Sequence, residues 1–206
     1  MKPILSVCLS CCLLLALVSC SSKQPVASGD SPQQVAPLSA IALLPVRILA
    51  EEGTDSGGEQ LQKGAMIANS LLRDELGGKA TIQVVSTAQL NKIGSGVTGG
   101  LGATIAELGR QLGCDGVLVT TLRRYKERQG GEYAVDAPAS VSFKMTLIST
   151  DDQRVLWVAD FNETQESLME NIFSFGKAQS RGFKWITVEE LMTQGIKERL
   201  AEFPYM

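Results

Sequence analysis

Two neighbouring segments alternate apolar and polar residues more regularly than any other part of the 206-residue chain. In the first segment the apolar positions are Val141, Phe143, Met145 and Leu147. Asp151 and Asp152 interrupt the pattern, and the second segment then places apolar residues at Val155, Trp157, Ala159 and Phe161. Because side chains alternate across a strand, this arrangement predicts a β-hairpin with one apolar face.

The residues before the hairpin predict alternating strands and helices. A short apolar run at 40–46 is typical of a buried strand, and apolar residues at helical spacing predict a helix over 61–76. A second strand is expected at 81–85. Ser86 and Gln89 have the spacing of a capping box, which predicts a short helix up to Ile93.

A third helix and another strand are expected between this region and the hairpin. Apolar residues recur at helical spacing over 101–112, Gly113 is placed to end that helix, and 117–121 follows as a strand. After the hairpin, Thr187 and Glu190 form a second capping box before a final amphipathic helix. The sequence therefore predicts an α/β (α+β) fold. We expect a mixed sheet of about five strands, helices mainly on one face, the late hairpin and a C-terminal helix.

The amino-terminal residues 1–19 have the pattern of an export signal. Lys2 provides the positive charge, and the apolar run at 4–18 is too short for a membrane-spanning helix. Its end, Leu17-Val18-Ser19-Cys20, resembles the lipobox of bacterial lipoproteins. That resemblance implies cleavage between Ser19 and Cys20, with a diacylglycerol and an N-acyl chain such as palmitate on Cys20. The alternative is an ordinary secretory signal that contains a cysteine by chance.

Residues 20–38 follow as a lipidated cysteine and a tether. They are rich in serine, glutamine, proline and glycine, so they contain too few large apolar side chains to form a core. Ser21, by the sorting rules of such lipoproteins, favours the outer membrane with the protein facing the periplasm. The inner membrane and the cell surface are the alternatives. Residues 39–206 are then expected to form a single domain.

Composition excludes several classes of function. The chain has no histidine, which removes serine–histidine and cysteine–histidine catalysis and the usual imidazole metal sites. With a net charge of -3, nothing favours nucleic-acid binding. We therefore expect no catalytic residues, no metal and no cofactor apart from the lipid on Cys20.

Cys114 is the only cysteine expected to keep a free thiol. Cys8, Cys11 and Cys12 lie in the predicted signal, and Cys20 is predicted to carry lipid. Cys114 has two interpretations: a redox-active or cross-linking thiol, or a small buried residue where a helix meets a strand. The second is favoured, since no histidine and no neighbouring cysteine would activate the thiol.

Residues 94–99, Gly-Ser-Gly-Val-Thr-Gly, match the GxGxxG pattern of dinucleotide-binding loops. Such a loop has to leave a strand directly and open a helix, so that its amides meet the pyrophosphate. Here a helical turn is predicted before the motif, and Arg123 and Arg124 stand where an acidic ribose partner is expected. A plain loop is therefore favoured over a nucleotide site.

Two further segments are candidate surfaces. The charged segment 123–128 has the mixed charge of a solvated strand end, and a dedicated anion site is the less favoured interpretation. In 171–185, aromatic and basic side chains alternate, which suits either contact with a membrane or partner or a loop that covers the core. The candidate contact residues are Phe173, Phe175, Arg181, Phe183 and Trp185.

The order of elements carries a family resemblance over roughly 39–204. Its main marks are Leu112-Gly113-Cys114-Asp115-Gly116-Val117-Leu118-Val119 and the hairpin that closes in Arg154-Val155-Leu156-Trp157. These resemble the α/β envelope domain shared by CsgG, the TolB amino-terminal domain and LpoB. The resemblance implies a non-catalytic envelope lipoprotein that binds an envelope protein in an assembly or activator role and allows a homo-oligomer. The alternatives are an accessory subunit of a CsgG-like export complex and, less favoured, an enzyme.

Overall fold

The computed structural model describes residues 37–50, 58–130, 135–165 and 185–205. In chain order, their elements are β1 (Ile41–Leu43), β2 (Arg47–Ile48), α1 (Gly58–Leu76), β3 (Ile82–Val84), α2 (Thr87–Gly94), α3 (Gly100–Leu112), β4 (Gly116–Lys126), β5 (Gln129–Gly130), β6 (Val135–Ala137), β7 (Ser140–Ser149), β8 (Val155–Thr164) and α4 (Val188–Leu200).

The main sheet is mixed and has six strands. Its order is β3-β1-β4-β7-β8, with β2 paired to β4 beyond the end of β1. β1 is parallel to β3 and β4, whereas β4, β7 and β8 are antiparallel to one another. β5 and β6 form a separate two-stranded sheet. The predicted fold class, with its mixed sheet, late hairpin and C-terminal helix, is confirmed.

One strand more than expected arises because the apolar run at 40–46 does not remain a single strand. β1 ends at Leu43, and Pro45 has no N–H to donate to a ladder. The backbone N–H of Val46 instead donates to the side-chain oxygen of Asn69 on α1, at 2.9 Å. Pairing with β4 resumes at Arg47, which produces the short strand β2.

The helices lie on both faces of the sheet, which corrects the expectation that they lie mainly on one. Ile41 and Leu43 are buried on the first face of the sheet with the apolar residues of α1 and α4, in what we call the first core. Ala42 and Leu44 are buried on the opposite face, which we call the second face, with the apolar residues of α2 and α3. Because successive side chains of a strand point to opposite faces, β1 needs a helical layer on each side to be buried completely.

The predicted helix ends are confirmed by hydrogen bonds. The Ser86 hydroxyl accepts from the Gln89 N–H at 3.2 Å, and the Gln89 side chain accepts from the Ser86 N–H at 2.9 Å. Thr187 and Glu190 form the same reciprocal pair at the start of α4. Gly113 ends α3 with φ of 64°, a conformation that glycine adopts without steric penalty.

The hairpin forms as predicted, with one exception in its second strand. Phe143 pairs with Phe161 across the strands, and their rings stack with centroids 5.2 Å apart in the core. Val155 is 56% exposed, although the alternation places it on the apolar face. The register shifts beyond Leu147, so that Val155 pairs with Ile148. This bulge moves Val155 to the other face.

α4 packs very closely on the hairpin because of a glycine. A Cβ atom added to Gly195 would lie 2.7 Å from ring atoms of Phe161, so only hydrogen fits there. The Phe203 ring, just beyond α4, then meets the edge of Trp157 with centroids 5.0 Å apart. These contacts close the first core over the hairpin.

Candidate functional site

Most of the sequence-predicted site residues lie outside the described residues. These are Ser19 and Cys20 at the predicted cleavage and lipidation site, and Phe173, Phe175, Arg181 and Phe183 in the aromatic and basic segment. Trp185 is described and is half-buried, directly before the buried Ile186. The predictions for the remaining residues stay predictions.

Trp185→Ala should cost less stability than the loss of a fully buried aromatic residue. We expect about 1–2 kcal/mol, because a half-buried ring loses fewer contacts than a buried one, for which about 3–5 kcal/mol is usual. Ile186→Ala is the matched control, since Ile186 is 3% exposed and its truncation should cost about 2–5 kcal/mol. Urea unfolding of the two variants compares the losses. A loss for Trp185→Ala as large as that for Ile186→Ala would show that Trp185 is a core residue.

The GxGxxG segment follows a helix, as predicted. α2 runs to Gly94, and α3 begins at Gly100 after a loop in which Gly99 has φ of 126°. The motif therefore connects two helices rather than a strand and a helix. Its residues lie beside a shallow groove between α2 and α3, lined also by Lys92, Glu107 and Arg110. The intervening helix that argued against a dinucleotide loop is confirmed.

Cys114 is buried at the junction of α3 and β4, with 3% of its surface exposed. Burial raises the pKa of its thiol, which disfavours the reactive thiolate. Among the described residues, no group of three or more Cys, Asp or Glu side chains is placed to hold a metal ion. No helix within the described ranges is both long and apolar enough to cross a membrane.

A groove with apolar walls and a polar rim lies at the carboxyl ends of β1 and β3, and we call it the carboxyl-edge groove. It has a volume of about 390 Å³ and lies between these strand ends, α1 and the start of α2. Its apolar wall is formed by Leu43, Leu44, Pro45, Met66, Val84 and Val85. In open sheets with parallel strands, the crevice beyond the carboxyl ends is the usual location of binding sites.

Two exposed apolar side chains line this groove. Met66 is 73% exposed and Val84 is 37% exposed, both on the groove wall. Ile48 and Leu49 follow soon after Pro45 and are 43% and 61% exposed. β2, which contains Ile48, contacts α1. Met66 and Val84 share one groove wall, whereas exposed apolar residues that are normal on a protein surface are isolated.

The groove also has polar groups on its rim. Arg73 projects from α1 one turn after Asn69, and Ser86 with Thr87 starts α2 on the other side. Asn69 is already engaged by the backbone of Val46, which fixes the wall of the groove. Sequence reasoning missed this site, since Met66 falls outside the apolar stripe of α1 and Val84 belongs to a three-residue strand. No motif marks either residue.

The charged segment 123–128 is less solvated than predicted. Both carboxylate oxygens of Asp160 accept hydrogen bonds from one guanidinium nitrogen of Arg123, at 2.9 and 2.7 Å. Arg124 donates to the hydroxyl of Ser140 at 2.7 Å and to Asn162. Tyr125, between these arginines and Lys126, points into the first core and is 2% exposed. The two arginines are thus fixed on the surface of β7 and β8.

Comparison with known proteins gives no family assignment. No family model matches the chain, and no curated protein matches its sequence. Several solved structures have a chain path similar to that of this protein. PelC from Paraburkholderia phytofirmans, solved as a dodecamer, is 18% identical with a TM-score of 0.43, over 79% of this chain and 85% of PelC.

Two further solved structures are similar to this chain. The LpoB C-terminal domain from Escherichia coli is 16% identical with a TM-score of 0.40, over 62% of this chain and 84% of that domain. Lipoprotein GNA1162 from Neisseria meningitidis is 17% identical with a TM-score of 0.39, over 69% of this chain and 98% of the lipoprotein.

Proposed function

We propose that this protein is a non-catalytic lipoprotein of the cell envelope, anchored by the lipid on Cys20, that binds another envelope protein in an assembly or activator role. Cleavage between Ser19 and Cys20 would leave a mature chain that begins at the lipidated cysteine. Each buried CH₂ of an acyl chain contributes about 0.8 kcal/mol to membrane binding, so the acyl chains on one residue together give a lasting anchor. The domain then faces the periplasm from the outer membrane.

The exposed carboxyl-edge groove is the observation that carries the binding role. Met66 exposes 73% of its surface directly beside a preformed cleft, and a flexible thioether side chain adapts well to a partner's apolar residue. Arg73 on the rim can pair with a carboxylate of the same partner. An apolar centre with a charged rim is the usual composition of a protein interface.

Two alternative functions predict different partners for the same groove. An accessory subunit of a CsgG-like export complex would bind a channel protein or form a stable ring, whereas an activator would bind a cell-wall synthase. An enzyme is less favoured, since the chain lacks histidine, the residue that most often serves as general acid or base. The identity of the bound protein therefore separates these functions.

Site-specific photo-cross-linking tests the binding role. With a photoreactive residue at position 66, in the full chain expressed in its own cells, we expect one dominant cross-linked envelope protein. Position 79 is the matched control, because Lys79 is also exposed but lies on the turn after α1, away from the groove. Mass spectrometry of the cross-linked bands identifies the partner.

Each outcome bears on the proposal. A product at position 66 that is absent at position 79, and that disappears when Val84→Asp is added, supports binding in the groove. Equal products at both positions, or none at position 66, would contradict it. Cross-links to a channel component rather than to a cell-wall synthase would favour the export subunit.

A further inference from the structure

Positive charge is concentrated on one part of the second face of the sheet, beyond the area that α2 and α3 cover. Strand pairing places five cationic residues and one carboxylate of the described chain on this part of the face. The cations, which together define the basic face, are Arg47, Arg123, Arg124, Lys126 and Lys144; the carboxylate is Asp160. Five positive charges less one negative charge give +4, in a chain whose net charge is -3.

The registers align part of the basic face in a single row across four strands. Arg47 of β2 pairs with Thr121 of β4, Thr121 pairs with Lys144 of β7, and Lys144 pairs with Asp160 of β8. Paired residues on adjacent strands point to the same face. From β2 to β8 the row therefore contains a cation, a hydroxyl group, a second cation and a carboxylate.

Two of the five cations of the basic face are held by hydrogen bonds, and the two that lie in the row are free to bind. Arg123 donates hydrogen bonds to Asp160, and Arg124 donates hydrogen bonds to Ser140 and Asn162. In the described part of the chain, neither Arg47 nor Lys144 has an ion-pair or hydrogen-bond partner, and both are exposed. Their strands lie on either side of β4, so their Cα atoms are about 10 Å apart, twice the usual strand spacing.

We propose that Arg47, Thr121 and Lys144 bind a carboxylate side chain on the surface of a protein partner. A carboxylate above Thr121 would accept hydrogen bonds from both cations and from the hydroxyl, and charge-assisted bonds of this kind are the stronger ones. This inference deepens the proposed function, on which it rests, by assigning the charge of the partner's surface.

The pattern of the row favours a protein over a lipid surface. Asp160 ends the row and, although it is paired with Arg123, leaves an exposed carboxylate where a uniformly anionic membrane would place negative headgroups. A protein can instead set a carboxylate over Thr121 and a donor over Asp160. Val158, on the same face of β8 next to Asp160, is 46% exposed and adds an apolar contact. Charged and apolar groups side by side are usual at a protein interface.

The test uses the full lipidated chain in a neutral detergent and a fluorescent probe. The probe is a glutamate-rich peptide, and its counterpart has glutamine at every glutamate position. Fluorescence anisotropy should show that the wild type binds the glutamate peptide, that added salt weakens this binding, and that the glutamine peptide does not bind. The double variant Arg47→Glu/Lys144→Glu should bind roughly tenfold more weakly or worse, since two attractions become repulsions.

Lys63→Glu/Lys79→Glu is the matched control, because it makes the same change in net charge on exposed residues of α1 and the following turn. We expect its affinity to change by less than about twofold, while Thr121→Val lowers affinity through loss of the hydroxyl alone. Equal losses for both double variants would overturn the proposal by showing dependence on overall charge. No binding of the glutamate peptide by the wild type would also overturn it.

Vesicles of phosphatidylglycerol distinguish a lipid surface from a protein carboxylate. Vesicle binding that Arg47→Glu/Lys144→Glu abolishes, with peptide binding unchanged, would overturn the assignment to a protein. Acyl labelling of the double variant should equal that of the wild type, because Cys20 is intact. Loss of the lipid anchor would therefore appear as lost acyl labelling, whereas loss of the carboxylate site would appear as lost peptide binding with labelling unchanged.

Discussion

Replacing Cys20 by serine is expected to abolish acyl labelling and to leave an unprocessed precursor. Only a thiol forms the thioether to diacylglycerol, and in lipoproteins of this kind cleavage follows that step. The measurement is metabolic labelling with a palmitate analogue, together with the mobility of the protein on a gel. Ser21→Ala is the matched control. It changes the neighbouring residue and leaves the thiol of Cys20 intact, so this variant should be labelled and processed normally.

Label that persists in Cys20→Ser would refute lipidation at this residue and favour an ordinary secretory signal. Density fractionation of the labelled wild type tests the membrane separately. Recovery in the inner membrane would contradict the outer-membrane location without affecting lipidation itself.

Replacing Phe143 by alanine is expected to destabilise the domain by about 3–5 kcal/mol, the usual loss for a buried phenylalanine. Phe143 is 1% exposed, lies at the centre of the first core and stacks on Phe161. The variant loses the burial of its own ring and leaves a cavity beside its partner. Urea unfolding followed by circular dichroism measures the change in the free energy of unfolding.

Val158→Ala provides the control for Phe143→Ala. Val158 lies on the adjacent strand but on the other face, where it is 46% exposed, and its truncation should cost well under about 1 kcal/mol. Similar losses for the two variants would contradict the assignment of the hairpin faces. A loss near zero for Phe143→Ala would contradict the position of the core.

Local sequence predicted the elements whose stabilising contacts are themselves local. Ser86 and Thr187 each bond to a residue three positions later, so the start of a helix can be recognised within four residues. Gly113 ends α3 for a similarly local reason. The alternation around Phe143 predicted its strand, because a strand with one buried face requires that period.

Long-range contacts decided the features that the sequence did not predict. Val155 turns to the second face because of a register shift between β7 and β8, which alternation alone does not reveal. The run at 40–46 splits because Asn69 of α1 binds the backbone at Val46. The carboxyl-edge groove likewise depends on how α1 is placed over the ends of β1 and β3.

The sequence by itself determined the alternating hairpin, the helix caps and the absence of histidine, and its residues 17–20 carry the resemblance to a lipobox. Each of these depends on residue types at short spacing, which the chain displays directly. The tertiary structure alone decided that both faces of the sheet are covered by helices and that Arg47, Thr121 and Lys144 form one row. These residues are far apart in the chain, and only the pairing register of β2, β4 and β7 brings them to the same face.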